Sequence, residues 1–155
     1  MLTFQIDSFE GSVPELLQLF PKHHVELGLF RDRMPLDPDI SEYVRRERAG
    51  ELFLTTGRRN GSIVAYYVAC VRPGFHYRST LTGTMDIAYV VPEYRNRGLA
   101  LPLFRTTERE LQRRGVRIWY SGCKLHNPLG MPRLHEALGF MPADQYFVKW
   151  IGGPS

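Results

Sequence analysis

Apolar residues recur along the chain at two spacings, which together predict a series of strands and helices. Residues Ser62–Val71 form an almost unbroken apolar run, and Leu81–Val91 is a second predicted strand, whose apolar second half ends at a proline. Runs of this length are typical of buried strands. Arg72–Thr80, which contains Pro and Gly, is predicted to be a loop between them. A four-residue repeat after them predicts the buried face of a helix over Leu99–Arg114, and its positions are Leu99, Leu103, Thr107 and Leu111.

Capping and turn residues place the remaining elements. Further strands are predicted at Thr3–Phe9, Glu51–Thr56, Val116–Gly122 and Pro142–Ile151. Further helices are predicted to begin near the capping signature Ser12–Glu15 and at Asp37, and to cover Met131–Leu138. Pro21 is expected to stop or bend the first of these helices. The resulting order, β-α-α-β-β-β-α-β-α-β, predicts an α/β chain with an antiparallel meander followed by a strand–helix–strand unit.

Length and charge restrict the class of protein. The 155 residues fit one domain, covering positions 1–155. Twenty Lys and Arg residues against 16 Asp and Glu give a net charge of +4, spread over several short groups. A mild excess of this kind suits an anionic cofactor and does not favour a nucleic-acid partner.

Cysteine usage and the lengths of the apolar runs bear on the compartment. Cys70 and Cys123 both lie within apolar runs, which is typical of buried thiols in a reducing compartment. Met1–Gly11 lacks the charged and apolar parts of a signal peptide. The longest apolar run, Ile63–Val71, is far shorter than the ~20 residues of a membrane span. We therefore expect a cytoplasmic protein without a membrane partner, and a homodimer is left open.

A basic loop joins the second apolar strand to the helix that follows it. The strand ends at Pro92, and Arg95, Arg97 and Gly98 precede the helical repeat. Backbone N–H groups at a helix start are unpaired and favour negative charge. Gly98 has no Cβ to block a close approach, and the two arginines supply charge-assisted donors. This arrangement predicts a phosphate-binding loop.

Two stretches resemble one known family. Arg95-x-x-Gly98-x-Ala100, in its setting between strand and helix, resembles the acetyl-CoA loop of the GNAT-type N-acetyltransferases. Leu134–Phe140 is similar to the last motif of that family, in which Leu-Tyr-Glu-x-Leu-Gly-Phe closes a helix. Pro35–Pro38, His76–Ser79 and Lys124 also resemble some phage-encoded members. The main resemblance covers most of Leu52–Trp150.

The resemblance implies a GNAT-like fold, a mixed and mostly antiparallel central sheet flanked by helices, with acetyl-CoA as the cosubstrate. The residues it assigns to cofactor binding are Tyr89, Val90, Val91, Arg95, Asn96, Arg97, Gly98, Leu99, Ala100 and Asn127. It also implies that a backbone N–H near Tyr89 and Val90 polarises the thioester, provided that the strands splay there.

Two residues are candidates for acid–base chemistry. Asp86 lies in an otherwise apolar strand, where a carboxylate is either functional or paired with a neighbour. The family often uses such a carboxylate to deprotonate the amine. His135 stands where the family often has a tyrosine that protonates the leaving thiolate; it is either that acid or an exposed helix residue.

Other polar side chains admit two interpretations each. His76, Tyr77 and Arg78 either bind the acceptor or belong to a merely solvated connection. His23 and His24 are expected to be exposed rather than metal ligands, since no second pair of ligands converges on them.

The expected function is acetyl-CoA-dependent N-acetyl transfer to a primary amine of a small molecule or a protein. Transfer would be direct, in a ternary complex, with Cys123 serving only in packing. The alternative is a GNAT-fold binding or accessory protein that keeps the CoA loop but turns over weakly or not at all.

Overall fold

The computed structural model describes residues 1–154. Its five strands form one sheet in chain order: β1 (Leu2–Asp7), β2 (Leu52–Arg59), β3 (Ser62–Gly74), β4 (Tyr77–Val90) and β5 (Ile118–Tyr120). The first four strands pair antiparallel with their neighbours, and β5 lies parallel to β4. The expected mixed, mostly antiparallel sheet is therefore confirmed.

Helices cover both faces of this sheet. They are α1 (Phe9–Leu27), α2 (Ile40–Arg48), α3 (Ala100–Arg113) and α4 (Met131–Ala137), with a short 3₁₀ turn at Pro92–Tyr94. Along β3, Tyr66 and Val68 pack in the core under α1 and α2, whereas Tyr67 and Ala69 pack in the core under α3. The apolar run of β3 is continuous because both of its faces are buried.

The first helix begins earlier and ends later than the sequence predicts. Ser8, rather than Ser12, caps α1, and its hydroxyl accepts a hydrogen bond from the Gly11 N–H at 3.1 Å. The helix continues through Pro21 as far as Leu27, so Pro21, which was expected to stop or bend the helix, does not stop it. Proline inside a helix costs about 3 kcal/mol. The buried stripe of α1, which includes Leu16 and Phe20, outweighs this cost through packing.

The connection between the two central strands also differs from its prediction. Arg72–Thr80 is not a loop, because β3 runs to Gly74 and β4 starts at Tyr77, and these two residues face each other across a tight hairpin. Strand β5 is shorter than predicted and covers only Ile118–Tyr120. Asp39, not Asp37, caps α2, since its side chain accepts from the Glu42 N–H.

The predicted last strand, Pro142–Ile151, is not formed. Residues 140–151 have no regular structure, and Tyr146, Phe147 and Ile151 are each 88% exposed. Within Pro142–Ile151, only Trp150 has an aromatic neighbour, the ring of Phe30, with centres 5.8 Å apart. An alternating pattern makes a strand only where a sheet edge accepts it, and the three-residue β5 offers little edge. The predicted order is thus confirmed except for its final strand.

Candidate active site

The sheet opens between β4 and β5. The two strands pair only where Thr82–Thr84 face Ile118–Tyr120. Beyond Thr84, β4 continues to Val90 without β5 beside it, and a groove of about 740 Å³ lies there. Its walls are the second half of β4, the start of α3 and the segment from Gly122 to Leu134. Backbone groups of β4 that would have bonded to β5 are thereby available to a bound molecule.

The start of α3 forms one end of this groove. Leu99 occupies the N-cap position and gives no side-chain hydrogen bond to the helix, so the first N–H groups stay without a cap. Gly98 has a φ of +73°, a conformation that side chains rarely adopt, and a Cβ built there would meet no atom within 4 Å. Asn96, Gly98, Leu99 and Ala100 all line the groove. The loop therefore has the open, donor-rich geometry that the sequence predicts for phosphate binding.

The two arginines of this loop differ in what they contact. The guanidinium of Arg95 forms a two-pronged ion pair with Glu26 of α1, and its Nε donates to the Val90 carbonyl at 2.9 Å. This pairing holds the pKa of Glu26 below its usual range. Arg97 is exposed, and its guanidinium lies 5.7 Å from the Tyr94 ring centre. Arg95 thus ties the loop to α1, whereas Arg97 stays exposed beside the Tyr94 ring.

Of the other residues assigned to the cofactor, some line the groove and one lies in the core. Tyr89, Val90 and Asn127 line the groove. Val91 does not: its side chain is 8% exposed, and its N–H donates to the Val64 carbonyl at 3.0 Å. The structure therefore places Val91 in the core rather than at the groove.

Asp86 is the extra residue of a β-bulge in β4. Val68 faces Ile87 and Ala69 faces Met85, so that Asp86 has no partner on β3. A bulge bends the strand and re-aims a side chain, which explains how a carboxylate in an apolar strand stays exposed. The Tyr43 hydroxyl of α2 donates to Asp86 Oδ2 at 2.5 Å.

A second, smaller cavity meets the groove at Asp86. It measures about 280 Å³, and its lining residues are Asp39, Glu42, Tyr43, Arg46, Leu52, Cys70 and Asp86. Arg45 and Arg46 bind Glu42 and hold the pKa of its carboxyl at about 2. Burial, and then the bond to Asp86, raise the pKa of Tyr43, which keeps its hydroxyl a donor. Asp86 is the one residue that lines both the cavity and the groove among residues 1–154.

His135 does not line the groove. Its Nε2 lies 2.8 Å from the Ser121 hydroxyl, and its ring packs edge-on against Phe104 and Phe140. Burial lowers the pKa of this imidazole. The structure therefore packs His135 of α4 against these aromatic rings. Its role as the acid that protonates the thiolate stays a prediction.

His76, Tyr77 and Arg78 lie at the tip of the β3–β4 hairpin. All three are exposed. At about 3.3 Å per residue, Tyr77 is roughly 30 Å along the strand from Asp86. The structure does not bring this group to the groove, and its proposed contact with an acceptor stays a prediction.

Sequence reasoning missed His23. It was expected to be exposed, but it is half-buried on the groove wall, and its ring stacks on Tyr89 with centres 4.7 Å apart. The signal was present in the spacing, because His23 continues the stripe of Leu16, Leu19 and Leu27 on the buried side of α1.

A family model supplies the decisive comparison. The model of the acetyltransferase (GNAT) family matches residues 15–140. The chain belongs to the GNAT acetyltransferase family. No curated protein sequence matches it. The two stretches that resemble this family, Arg95–Ala100 and Leu134–Phe140, both lie within the matched residues.

Solved structures share the fold at low sequence identity. One is an aminoglycoside acetyltransferase from an uncultured soil metagenomic sample, with a TM-score of 0.76, 15% identity, and coverage of 98% of this chain and 99% of that one. Another is a ribosomal-protein-alanine N-acetyltransferase from Brucella melitensis, with a TM-score of 0.71, 14% identity, and coverage of 98% and 100%. A third, from Clostridium acetobutylicum, is described as a predicted acetyltransferase with acetyl-CoA, with a TM-score of 0.70, 16% identity, and coverage of 97% of both chains.

Within residues 1–154, none of the helices combines the length and the apolar character that crossing a bilayer requires.

Proposed function

We propose that the protein transfers an acetyl group from acetyl-CoA to a primary amine, directly and within a ternary complex. The observation that carries this proposal is the position of Asp86, at the junction of the groove and the second cavity. Membership of an acetyltransferase family supports acetyl transfer in general. The amine acceptor and the direct mechanism rest on the geometry around Asp86.

The groove is the proposed site of acetyl-CoA. Its lining combines the start of α3 with the second half of β4, which differ in chemistry. The uncapped start of α3 and the open Gly98 backbone would hold the pyrophosphate. The unpaired side of Met85–Val90 would bond to the pantetheine arm and place the thioester along this half of β4, between Asp86 and Tyr89. The acetyl-CoA complex of the structurally similar Clostridium acetobutylicum protein supports this assignment.

The second cavity is the proposed entry for the amine. Asp86 takes a proton from the ammonium form, directly or through a water, and leaves a free amine. The nitrogen lone pair then attacks the thioester carbon, and a backbone N–H near Tyr89 and Val90 stabilises the oxyanion. As the C–S bond breaks, its electrons leave with the CoA thiolate. The second proton of the nitrogen passes to that thiolate, directly or through a water, which gives the CoA thiol, and Asp86 returns its proton to solvent. Tyr43 holds the Asp86 carboxylate in place through its hydrogen bond.

A second candidate function is CoA binding without turnover. The observation in its favour is that His135 bonds to Ser121 and does not line the groove, so that the expected acid is absent from it. This candidate predicts the same affinity for CoA but no transfer.

One experiment separates the two functions. Acetyl-CoA binding is measured by calorimetry, and release of the free CoA thiol is followed over a panel of primary amines, including aminoglycosides, polyamines and peptide N-termini. Binding together with amine-dependent thiol release and an acetylated product supports transfer. Binding without release from any amine supports the second candidate. Absence of binding overturns both.

A further inference from the structure

His23 is held by contacts on two sides. Its ring stacks on Tyr89 at an interplanar angle of 15°, with centres 4.7 Å apart. Its Nδ1 lies 2.8 Å from the hydroxyl oxygen of Tyr66, a residue of β3 that is fully buried. These contacts fix both the plane of the imidazole and its rotation, at a position on the wall of the groove.

The bond to Tyr66 determines which ring nitrogen carries the proton. Tyr66 lies in the core with a 0% exposed side chain, and burial raises the pKa of its phenol, so that its hydroxyl keeps its hydrogen. His23 Nδ1 is the hydrogen-bond partner of this hydroxyl within the described residues. A buried O–H left without an acceptor is costly, so the phenol donates and Nδ1 accepts. The proton of the neutral ring therefore lies on Nε2.

The opposite edge of the ring is accessible. Nε2 has no hydrogen-bond partner among residues 1–154, and none of the buried side-chain nitrogen or oxygen atoms there lacks a partner. Nε2 must then reach solvent, and the solvent beside His23 is that of the groove. An N–H donor in a fixed orientation thus faces the space proposed for the cosubstrate.

The ring stays neutral at physiological pH. Burial lowers the pKa of His23 to about 4. The charged groups facing it oppose one another, since Glu26 on α1 raises this pKa whereas Lys124, Arg95 and His24 lower it. Tyr66 and Tyr89, from the neighbouring strands, present neutral phenols. Neutrality preserves one N–H donor and prevents the ring from repelling a protonated amine.

We propose that His23 Nε2 donates a hydrogen bond to a carbonyl oxygen of the acyl-pantetheine arm, with Tyr66 as the positioning residue that fixes the ring. This inference rests on the proposed function, because it needs acetyl-CoA in the groove. A neutral N–H selects an acceptor atom, and the acyl-pantetheine arm offers carbonyl oxygens from its thioester and amides. The proton stays on the ring throughout, so His23 binds and orients the arm without acting as an acid.

Variants distinguish the two edges of the ring. Glutamine can place its amide N–H near the Nε2 position, whereas asparagine reaches only the Nδ1 position. We expect His23→Asn to weaken acetyl-CoA binding about two- to tenfold, the worth of one neutral hydrogen bond, and His23→Gln to recover most of that loss. The matched control is His24→Gln, which changes the neighbouring histidine outside the groove and should leave affinity unchanged. Equal losses in His23→Gln and His23→Asn would overturn the proposal.

A spectroscopic measurement tests the tautomer independently of turnover. In protein labelled with ¹⁵N-histidine, His23 should show a neutral ring protonated at Nε2 from pH 6 to pH 8, and acetyl-CoA should shift the Nε2 resonance. Tyr66→Phe, which keeps the buried ring, should mix the two tautomers. If acetyl-CoA binds by calorimetry but the Nε2 resonance does not move, the role of His23 is wrong while the cosubstrate assignment stands. If acetyl-CoA does not bind, the proposed function itself fails.

Discussion

The two halves of β4 belong to one continuous strand but differ in how many neighbouring strands they have. In the first half, Thr82–Thr84 pair with β3 on one side and β5 on the other. In the second half, Met85–Val90 keep β3 as a neighbour but have no β5 beside them. The doubly paired half is packed against α3, where Gly83 lies beside Leu111. The singly paired half borders the groove and carries Asp86, so the site lies where pairing stops.

This difference in pairing assigns the first half of β4 to the stability of the fold and leaves the second half available for binding. A sheet position with a strand on both sides uses its backbone N–H and C=O groups to bond to those strands, and its side chain packs in the core. A position flanked on one side keeps backbone groups available for a ligand. The bulge at Asp86 marks the start of the open half and turns a carboxylate away from the apolar core. Substitutions in the two halves should therefore have effects of different kinds.

The largest effect is expected in the open half, at Asp86. Replacing Asp86→Asn should lower turnover about 10²–10⁴-fold with cofactor affinity nearly unchanged, because the amide cannot accept a proton. The loss should shrink at high pH, where the amine is already free. Tyr43→Phe is the matched control, as it removes the hydrogen bond to Asp86 and keeps the carboxylate, so its loss should be smaller. A variant with normal turnover and a lowered melting temperature would instead make Asp86 a structural partner of Tyr43.

The next effect is expected at the end of the groove. Gly98→Asp should weaken CoA binding more than tenfold, because the new carboxylate repels the pyrophosphate. Gly98→Asn has nearly the same shape without charge, and asparagine tolerates the φ of +73° better than most residues. Calorimetry should therefore find Asn much closer to wild type than Asp. Similar affinities for the two variants would count against a phosphate at this loop.

In the doubly paired half the expected effect is on stability. A Cβ at Gly83 would lie 2.6 Å from Leu111 Cδ2, so Gly83→Ala forces the core to shift. Overpacking of this kind costs about 1–3 kcal/mol in the free energy of unfolding. Denaturant unfolding should show the loss, while CoA affinity of the folded variant stays unchanged. A selective loss of CoA affinity would contradict the division between the two halves.

The smallest effects separate the two loop arginines. Arg97→Ala should weaken CoA binding only a few-fold, since exposed ion pairs are worth about 0–1 kcal/mol, and added salt should abolish the difference. Arg95→Ala should instead lower the melting temperature, because it leaves Glu26 without its partner between the loop and α1. Greater salt-sensitive loss of CoA affinity in Arg95→Ala than in Arg97→Ala would show that Arg95 leaves Glu26 when the cofactor binds.

Local chemistry made part of this molecule predictable. The continuous apolar run of β3 predicted a buried strand, and the four-residue repeat after Gly98 predicted α3, since each pattern reports burial along a single element. A glycine without a Cβ at the start of this helix was read from the same short stretch, and the structure adds its positive φ. The GNAT family, too, was identified from two motifs of a few residues each.

Contacts between distant residues decided the rest. Local pattern assigned Arg95 to phosphates, but Glu26, 69 positions away, takes its guanidinium. His23 was expected to be exposed, but Tyr66 holds it on the groove wall. His135 was expected to be either the acid or an exposed helix residue, and it bonds to Ser121 outside the groove. The sequence determined which residues are apolar, which can cap and which can bind an anion. Only the tertiary structure decided where β5 leaves β4, and that splay selects the side chains that face the groove.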